Sequence, residues 1–417
     1  MNLAVREQDG RRAWKRVALG DVTVKITKGT TPTTVGGRFV EQGVNFLKVE
    51  SINESGSLDK EKIAQIDEES DEMLQRSRLI ANDVLFSIAG AIGRTYLVRP
   101  EDLPANVNQA LAIVRFDTSR VFPKYGYYAL RDRVFQAEAA GRVVQCAQAN
   151  VNLSQLSKSS IYLPQHDEQE RIASILSAYD GLIENNRRRI QLLEQAARLL
   201  YKEWFVHLRF PGHEHVKIKN GVPEGWEKKK ISDVCETIGG GTPSTKVPDY
   251  WDGDVTWVVP SDVTKNDCLV LLDSERKISE SGLKQSSAKL VPSNTILMTS
   301  RASVGFFALM EREVCTNQGF INIIPHEDEM RMYLLFNLMS RVEEIRSNAK
   351  GTTYPEISKG RFREIDVVIP SKALVNELSQ FANDIIHQVR ILKRSTLKLK
   401  RARDILLPRL MNGEVAV

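Results

Sequence analysis

What this chain of 417 residues lacks narrows it quickly. Cysteine is scarce: Cys146, Cys235, Cys268 and Cys315 stand far apart with no CxxC pair, which argues against zinc or disulfide frameworks and predicts reduced thiols. No apolar run approaches the roughly 18 to 20 residues a membrane span needs. The opening MNLAVREQDGRRAW puts charges where a signal peptide carries its apolar core, so a cytoplasmic protein with no membrane association is expected. Catalytic signatures are also missing: no GxxxxGK[ST] phosphate loop, no Rossmann fingerprint after a strand, no GxSxG elbow and no Asn/Asp-Pro-Pro-aromatic segment. No catalytic residue is therefore assigned. The excess of positive charge is small, +5, which permits a polyanionic partner without requiring one.

Two weaker patterns are set aside. Pro248-Asp249 before Glu275-Arg276-Lys277 loosely matches a PD…ExK nuclease site, but the first half of the chain has no counterpart. His213-Glu214-His215, with His207 nearby, sits in a polar segment without a matched ligand shell, so no metal is expected.

What the chain does have is itself, written twice. WKRVALGDVTVKITKGTTPTT from Trp14 returns as WEKKKISDVCETIGGGTPSTK from Trp226, an offset of 212. VNFLKVESI from Val44 pairs with VTWVVPSDV from Val255, and LIANDVLFSIAGAIGRTYLV from Leu79 with LVPSNTILMTSRASVGFFAL from Leu290. Asn108-Gln109 recurs as Asn317-Gln318, and IYLPQ from Ile161 as VVIPS from Val367. Five matches in one order, with a slowly drifting offset, mark a tandem duplication. Its period of just over 200 residues is far too long for a solenoid repeat, so each copy is a domain with something attached.

The attachment is a helix. From Asp167 to about Phe205 the only Gly or Pro is Gly181, and apolar residues recur at spacings of three and four. The expected seam is Ile172, Ile175, Tyr179, Leu182, Asn186, Leu193 and Leu200 in the first copy. In the second it is Leu378, Phe381, Ile385, Leu392, Leu399 and Leu406, related by an offset of 206. A narrow stripe of period 3.5 over about 40 residues, ~60 Å of helix, reads as a coiled-coil seam with Asn186 as a register-setting polar position. Two separate surface helices remain the bland alternative. Elsewhere short β-rich runs (Val44–Val49, Val84–Ile88, Tyr96–Val98, Leu111–Phe116) precede a helical stretch around Tyr125–Ala140. The plan is a tail 1–13, an α+β domain 14–164, a long helix 165–208, a linker 209–225, a second domain 226–370, a second helix 371–411 and a tail 412–417.

Polar residues repeated in both copies are the candidate contacts. Lys28, Gly29, Thr30 and Thr31 match Gly241, Thr242 and Ser244 in Gly/Thr-rich loops whose amides and hydroxyls suit phosphates or base edges, although an ordinary tight turn would also place the Gly and Pro there. Lys48 and Ser51 match the region of Ser261. Ser87 with Arg94, and Thr299, Ser300 and Arg301, put small residues and one Arg at a strand end, either to reach a guanine or phosphate or simply to build a hairpin. The paired amides of Asn108-Gln109 and Asn317-Gln318 suit backbone satisfaction better than base reading. Arg390, Lys393, Arg394, Lys398, Lys400, Arg401 and Arg403 form a basic stripe, either a solvated face or a surface near phosphates.

These strings together resemble the specificity (S) subunit of type I restriction–modification systems. The carriers are Val222-Pro223-Glu224-Gly225-Trp226, the GTTP and GTPS loops, Leu163-Pro164 with Glu168-Gln169-Glu170-Arg171-Ile172, and Leu406-Leu407-Pro408-Arg409-Leu410-Met411-Asn412-Gly413-Glu414. The resemblance implies an α+β architecture of two duplicated target-recognition domains separated by two long antiparallel coiled-coil helices, with pseudo-twofold symmetry. It implies that each domain reads one half of a bipartite, asymmetric site in double-stranded DNA. The helices would set the gap and dock two methyltransferase subunits, with restriction/translocase subunits joining the complex. S-adenosylmethionine, ATP and Mg would belong to those partners, and this chain would bind no cofactor. Ser371-Lys372-Ala373-Leu374-Val375 departs from the first helix's Glu-Gln-x-Arg-Ile opening, so the two docking faces need not be equivalent. The competing readings are a scaffold or inhibitor that binds the same partners without reading DNA, and a stand-alone nuclease using Asp249.

Overall fold

The computed structural model describes residues 14–141, 150–351 and 355–417; the tail 1–13 and Cys146 lie outside the described residues. Two compact units result. One comprises the described residues up to Leu182 with Leu399–Val417, the other Ile183–Lys398.

In the first unit Thr23–Lys28, Leu111–Phe116, Val84–Ser87 and Thr95–Leu97 pair in that order as an antiparallel sheet. Its central strands read as unbroken apolar runs because both faces are covered. Val84, Phe86, Ala112 and Val114 pack on the helix Pro123–Arg131 and the start of the first long helix, while their neighbours Leu85, Leu111 and Ile113 enter a second core on the opposite face. That second core is roofed by another sheet, ordered Phe39–Val40, Ala64–Ile66, Val44–Leu47, Ala105–Val107, whose last pair is parallel. A ribbon of Lys15–Ala18 with Ser160–Leu163 completes the unit's strands.

The second unit repeats this topology. Cys235–Gly239, Phe320–Pro325, Ile296–Thr299 and Phe307–Leu309 form the first sheet. Arg276–Ile278, Trp251–Val258 and Val314–Thr316 form the second, again with one parallel pair. Glu227–Lys230 with Asp366–Ile369 is the matching ribbon. The copies differ at opposite edges of this sheet: the first adds Phe39–Val40 outside Ala64–Ile66, and the second adds Leu290–Val291 outside Val314–Thr316. The duplication read from sequence is thus a duplication of strand order.

The long helices span His166–Tyr201 and Lys372–Met411, and each contributes one part to each unit. In the first unit Ile172, Ala173 and Leu176 share a core with Leu407, Leu410 and Met411. In the second, Ile190, Ala197 and Tyr201 share one with Val375, Leu378, Ala382, Ile385, Val389 and Leu392. In both, the start of one helix meets the end of the other, as in an antiparallel pair.

Three expected seam positions are corrected. Ile175, Leu182 and Phe381 are 37%, 51% and 42% exposed, and their C-terminal neighbours Leu176, Ile183 and Ala382 are buried instead. Ile175-Leu176 and Leu182-Ile183 are adjacent apolar pairs, so the 3/4 spacing can start in either phase. Only the packing partner selects one. Ile172, Asn186, Leu378, Ile385 and Leu392 are buried, and Tyr179, Leu193, Leu200, Leu399 and Leu406 are half-buried.

The first unit's helix pair also encloses a polar contact. Arg403 Nη1 donates to Asp180 Oδ1 at 2.6 Å, and Tyr128 Oη donates to Asp180 Oδ2 at 2.7 Å. At the matching positions of the second unit stand Ala197, Ile386 and Phe336, all buried in its core.

Candidate nucleic-acid interface

In each unit the ends of the two parallel strands, the Gly/Thr loop and the Asn-Gln turn converge. Leu47 O accepts the Asn108 amide at 3.1 Å, and Val258 O accepts that of Asn317 at 3.0 Å. Each Asn side chain then accepts the amide two residues on, Ala110 N at 3.2 Å and Gly319 N at 2.9 Å, which is the Asx-turn geometry. The following Gln accepts the loop hydroxyl: Thr31 donates to Gln109, and Thr242 to Gln318. The amides therefore build the turn and hold the loop, consistent with backbone satisfaction.

The loop glycines have a packing reason. A Cβ on Gly29 would lie 1.8 Å from Val107 O, and one on Gly240 2.1 Å from Asn317 O. Backbone carbonyls cannot yield as side chains do, so only glycine fits. Gly241 likewise faces Ser287 O, at 2.2 Å from a Cβ.

Several expected contacts turn out to be internal. Ser87 accepts the Arg94 amide at 2.8 Å and donates to Ala91 O; Thr299 accepts the Phe306 amide at 3.0 Å and donates to Ser303 O. Both are buried locks on the same tight turn. Ser300 is buried, its amide bound to Gly319 O at 2.8 Å. Ser51 is buried and donates to Lys62 O at 2.8 Å. The Arg94 guanidinium donates to Ile52 O at 2.8 Å and Val49 O at 3.3 Å, which fastens a loop. Side chains of this kind are occupied by their own backbone, a use that a polar string in sequence does not distinguish from a contact surface. Lys28, Thr30, Thr31, Lys48, Thr242, Ser244, Ser261 and Arg301 remain exposed or half-buried. Arg301 lies 3.6 Å from Glu356, both largely exposed.

The reading of the sequence missed an aromatic pair beside this loop. Phe39 and Phe46 meet edge-on at 5.5 Å between centroids, and Trp251 and Trp257 do the same at 5.1 Å. The signal was available: the pairs are related by offsets of 212 and 211, those of the flanking repeats. In the second unit the indoles hold the loop, Trp257 Nε1 donating to Gly241 O at 2.9 Å and Trp251 Nε1 to Ser244 O at 3.2 Å.

The basic stripe of the second helix is partly neutralised. Arg390 and Arg394 both bind Glu311, Lys393 lies 3.3 Å from Asp267, and Arg403 binds Asp180 and Asp404. Glu311 and Asp267 reach the stripe from loops, Asp180 from the other long helix, and Asp404 is the helix's own. Among the described residues, Lys398, Lys400 and Arg401 make no such ion pair. Nearby, burial raises the Glu194 carboxyl above the usual glutamate range although its Oε1 accepts the Leu269 amide at 2.5 Å. Burial also pushes the Cys235 thiol up to about 12 and those of Cys268 and Cys315 up to about 11, leaving inert thiols.

A wide concavity of about 1230 Å³ in the second unit is lined by Tyr201, Phe205, Trp226, Tyr333 and Phe336. Some of its polar groups serve each other: Asn337 donates to Tyr201 Oη at 3.0 Å, and Arg341 donates to Asn337 Oδ1 at 3.3 Å and binds Glu344 at 2.7 Å. Among the described residues no three His, Cys, Asp or Glu side chains gather as a metal-holding group, and His213 and His215 merely flank Glu214 in an exposed turn.

Comparison with known proteins agrees with this duplicated geometry. The profile of the family described as the type I restriction modification DNA specificity domain matches residues 11–195 and again 223–394. The MjaIX specificity subunit of Methanocaldococcus jannaschii is 36% identical over 188 residues, a stretch that spans 43% of either chain. The HindI specificity subunit of Haemophilus influenzae is 23% identical over 96% of this chain and 99% of its own length. In structure, the type I restriction–modification S subunit from M. genitalium superposes with a TM-score of 0.60 over 98% of each chain at 16% identity, a likeness of fold. With both of its copies matched, the chain belongs to the type I restriction modification DNA specificity family.

Proposed function

We propose that this chain supplies DNA sequence specificity to a type I restriction–modification complex, each unit reading one half of a bipartite, asymmetric site. The observation that carries the reading is the duplication itself: one strand topology and one loop–turn platform occur twice, and each copy matches the specificity-domain family. Two non-identical copies suit two different half-sites. The loops on the platforms have anchored bases and open tips, which is how a fixed scaffold presents variable contacts.

The chain has no catalytic part in this reading. Two methyltransferase subunits dock on the long helices, bind S-adenosylmethionine and flip and methylate the target adenine. Restriction/translocase subunits supply the ATP- and Mg-dependent steps. Double-stranded DNA contacts fall to Lys28, Thr30, Thr31 and Lys48 in one unit, and Thr242, Ser244, Ser261 and Arg301 in the other. The exposed Ile175, Leu182 and Phe381 fit the docking role better than the seam role. Nothing about the Asp249 and Glu275 segment favours a nuclease: Lys277, the third member of that pattern, is paired with Asp273 at 3.4 Å.

The test is adenine-methylation mapping of cellular DNA with and without the gene. Loss of methylation at one bipartite motif is the expected result. An unchanged methylome in cells with active partner subunits would transfer the assignment to a scaffold or inhibitor.

A further inference from the structure

The duplication allows the two units to be searched for features that recur in space but not in sequence, and one stands out beside the Gly/Thr loops. In the first unit Lys48 Nζ sits 5.0 Å from the ring centroid of Phe39. In the second, Arg276 Cζ sits 3.8 Å from the Trp251 ring and 5.5 Å from the Trp257 ring. Lys48 follows the strand Val44–Leu47, whereas Arg276 opens the strand Arg276–Ile278. Different backbone positions thus deliver a cation to the same aromatic pair.

We propose that Arg276 is a DNA-contacting residue of the second unit, held ready by its stacking on Trp251 to donate bidentately to a pair of DNA acceptors, either a guanine edge or a phosphate. The proposal rests on the DNA-reading function argued above and adds a residue to it. Three observations carry it. Arg276 is exposed, and its guanidinium makes no hydrogen bond or ion pair among the described residues. It does so although Glu275 is its chain neighbour and Asp252 and Asp254 lie on the partner strand. And the indoles beneath it are those that hold Gly241 and Ser244, so guanidinium and loop share one support.

The physical logic is preorganisation. A guanidinium lying flat on an indole gains cation–π attraction while its in-plane N–H donors point away from the ring and stay free. Stacking also restricts a side chain that would otherwise lose much rotamer freedom on binding. A fork of this kind matches guanine O6/N7 or two phosphate oxygens. The first unit's Lys48 is a point charge on a smaller ring, so the two half-sites are contacted unequally at this place.

The experiment is methylome mapping, with partner subunits present, for the full chain carrying Arg276→Ala, Arg276→Met or no change. Methionine keeps apolar packing on Trp251 but removes every donor. Both variants are expected to reduce methylation by about fivefold to 100-fold, the range of one good bidentate contact, with unchanged melting midpoints. A guanine contact relaxes one position of one half-site. A phosphate contact leaves the motif intact and lowers the salt dependence of DNA binding. Wild-type methylation with Arg276→Met, whether or not Arg276→Ala is impaired, overturns the inference and leaves the DNA-reading function standing. A wild-type methylome with no motif dependent on this gene overturns both.

Discussion

The Asp180–Arg403–Tyr128 contact offers a sharp test because the chain contains its own apolar replacement. Arg403 is nearly buried, with 9% of its side chain exposed, while Asp180 is 26% exposed and holds two donors. Removing one partner of a buried pair costs about 3–5 kcal/mol when the other is left without compensation. Here Asp180 keeps the Tyr128 hydroxyl and some water, so Arg403→Ala is expected to cost about 2–3 kcal/mol, somewhat below that range. The second unit carries Phe336, Ile386 and Ala197 where the first carries Tyr128, Asp180 and Arg403. The triple variant Tyr128→Phe, Asp180→Ile, Arg403→Ala therefore transplants a packing solution this fold already uses. It should restore stability to within about 1 kcal/mol of wild type, because well-packed apolar residues often replace a buried ion pair at no cost. Urea unfolding followed by circular dichroism, with the single and triple variants compared at equal slope, measures both. A triple variant as unstable as Arg403→Ala would refute the equivalence of the two cores. A negligible loss for Arg403→Ala would refute the burial argument itself.

Four further outcomes are expected. Leu176→Ala should cost about 2–5 kcal/mol as a core deletion, and the adjacent Ile175→Ala less than about 1 kcal/mol; thermal melting in the reverse order would put the seam back in its other phase. Gly29→Ala should destabilise the first unit by at least about 1–3 kcal/mol by driving a methyl into Val107 O, and a wild-type melting midpoint would show that the loop can move away. Glu194 has its carboxyl raised by burial, so its protonated form favours folding; this contribution is present at and below the ordinary glutamate range and is lost as pH rises through the folded value. Glu194→Gln, which keeps an acceptor for Leu269, should accordingly stabilise the protein at pH 7 and flatten that slope in pH-dependent denaturation, whereas destabilisation at pH 7 would contradict the assignment. Arg301→Ala should weaken recognition of one half-site only, by about 1–3 kcal/mol if it meets a base, and equal weakening of both would assign it a general role.

The distribution of legible and illegible features follows from the range of each interaction. Repetition, helix length and the 3/4 spacing are local or additive, so Trp14 with Trp226 and the run from Asp167 onward declare themselves. Whether a serine or arginine faces solvent is not local. Ser87, Thr299 and Arg94 look like contact residues in the string, and only the folded turn shows their donors and acceptors already engaged. The basic stripe fails for the same reason, since Glu311 and Asp267 reach it from another part of the chain.

By itself, then, the sequence determined that two like domains and two long helices exist, because duplicated strings and amphipathic periods need no partner to be read; the specificity-domain family came from the resemblance of particular strings and the family profile. Only the tertiary structure decided the seam's phase. Ile175 and Leu176 are equally apolar, and a core chooses between neighbours 100° apart on a helix by what it packs against. It also decided which cations are free. Arg276, between Glu275 and Lys277 in the string, is left by the fold on an indole with its donors open, whereas Arg403 is locked between two aspartates. Charge is written in the sequence, but its availability depends on distances that only folding sets.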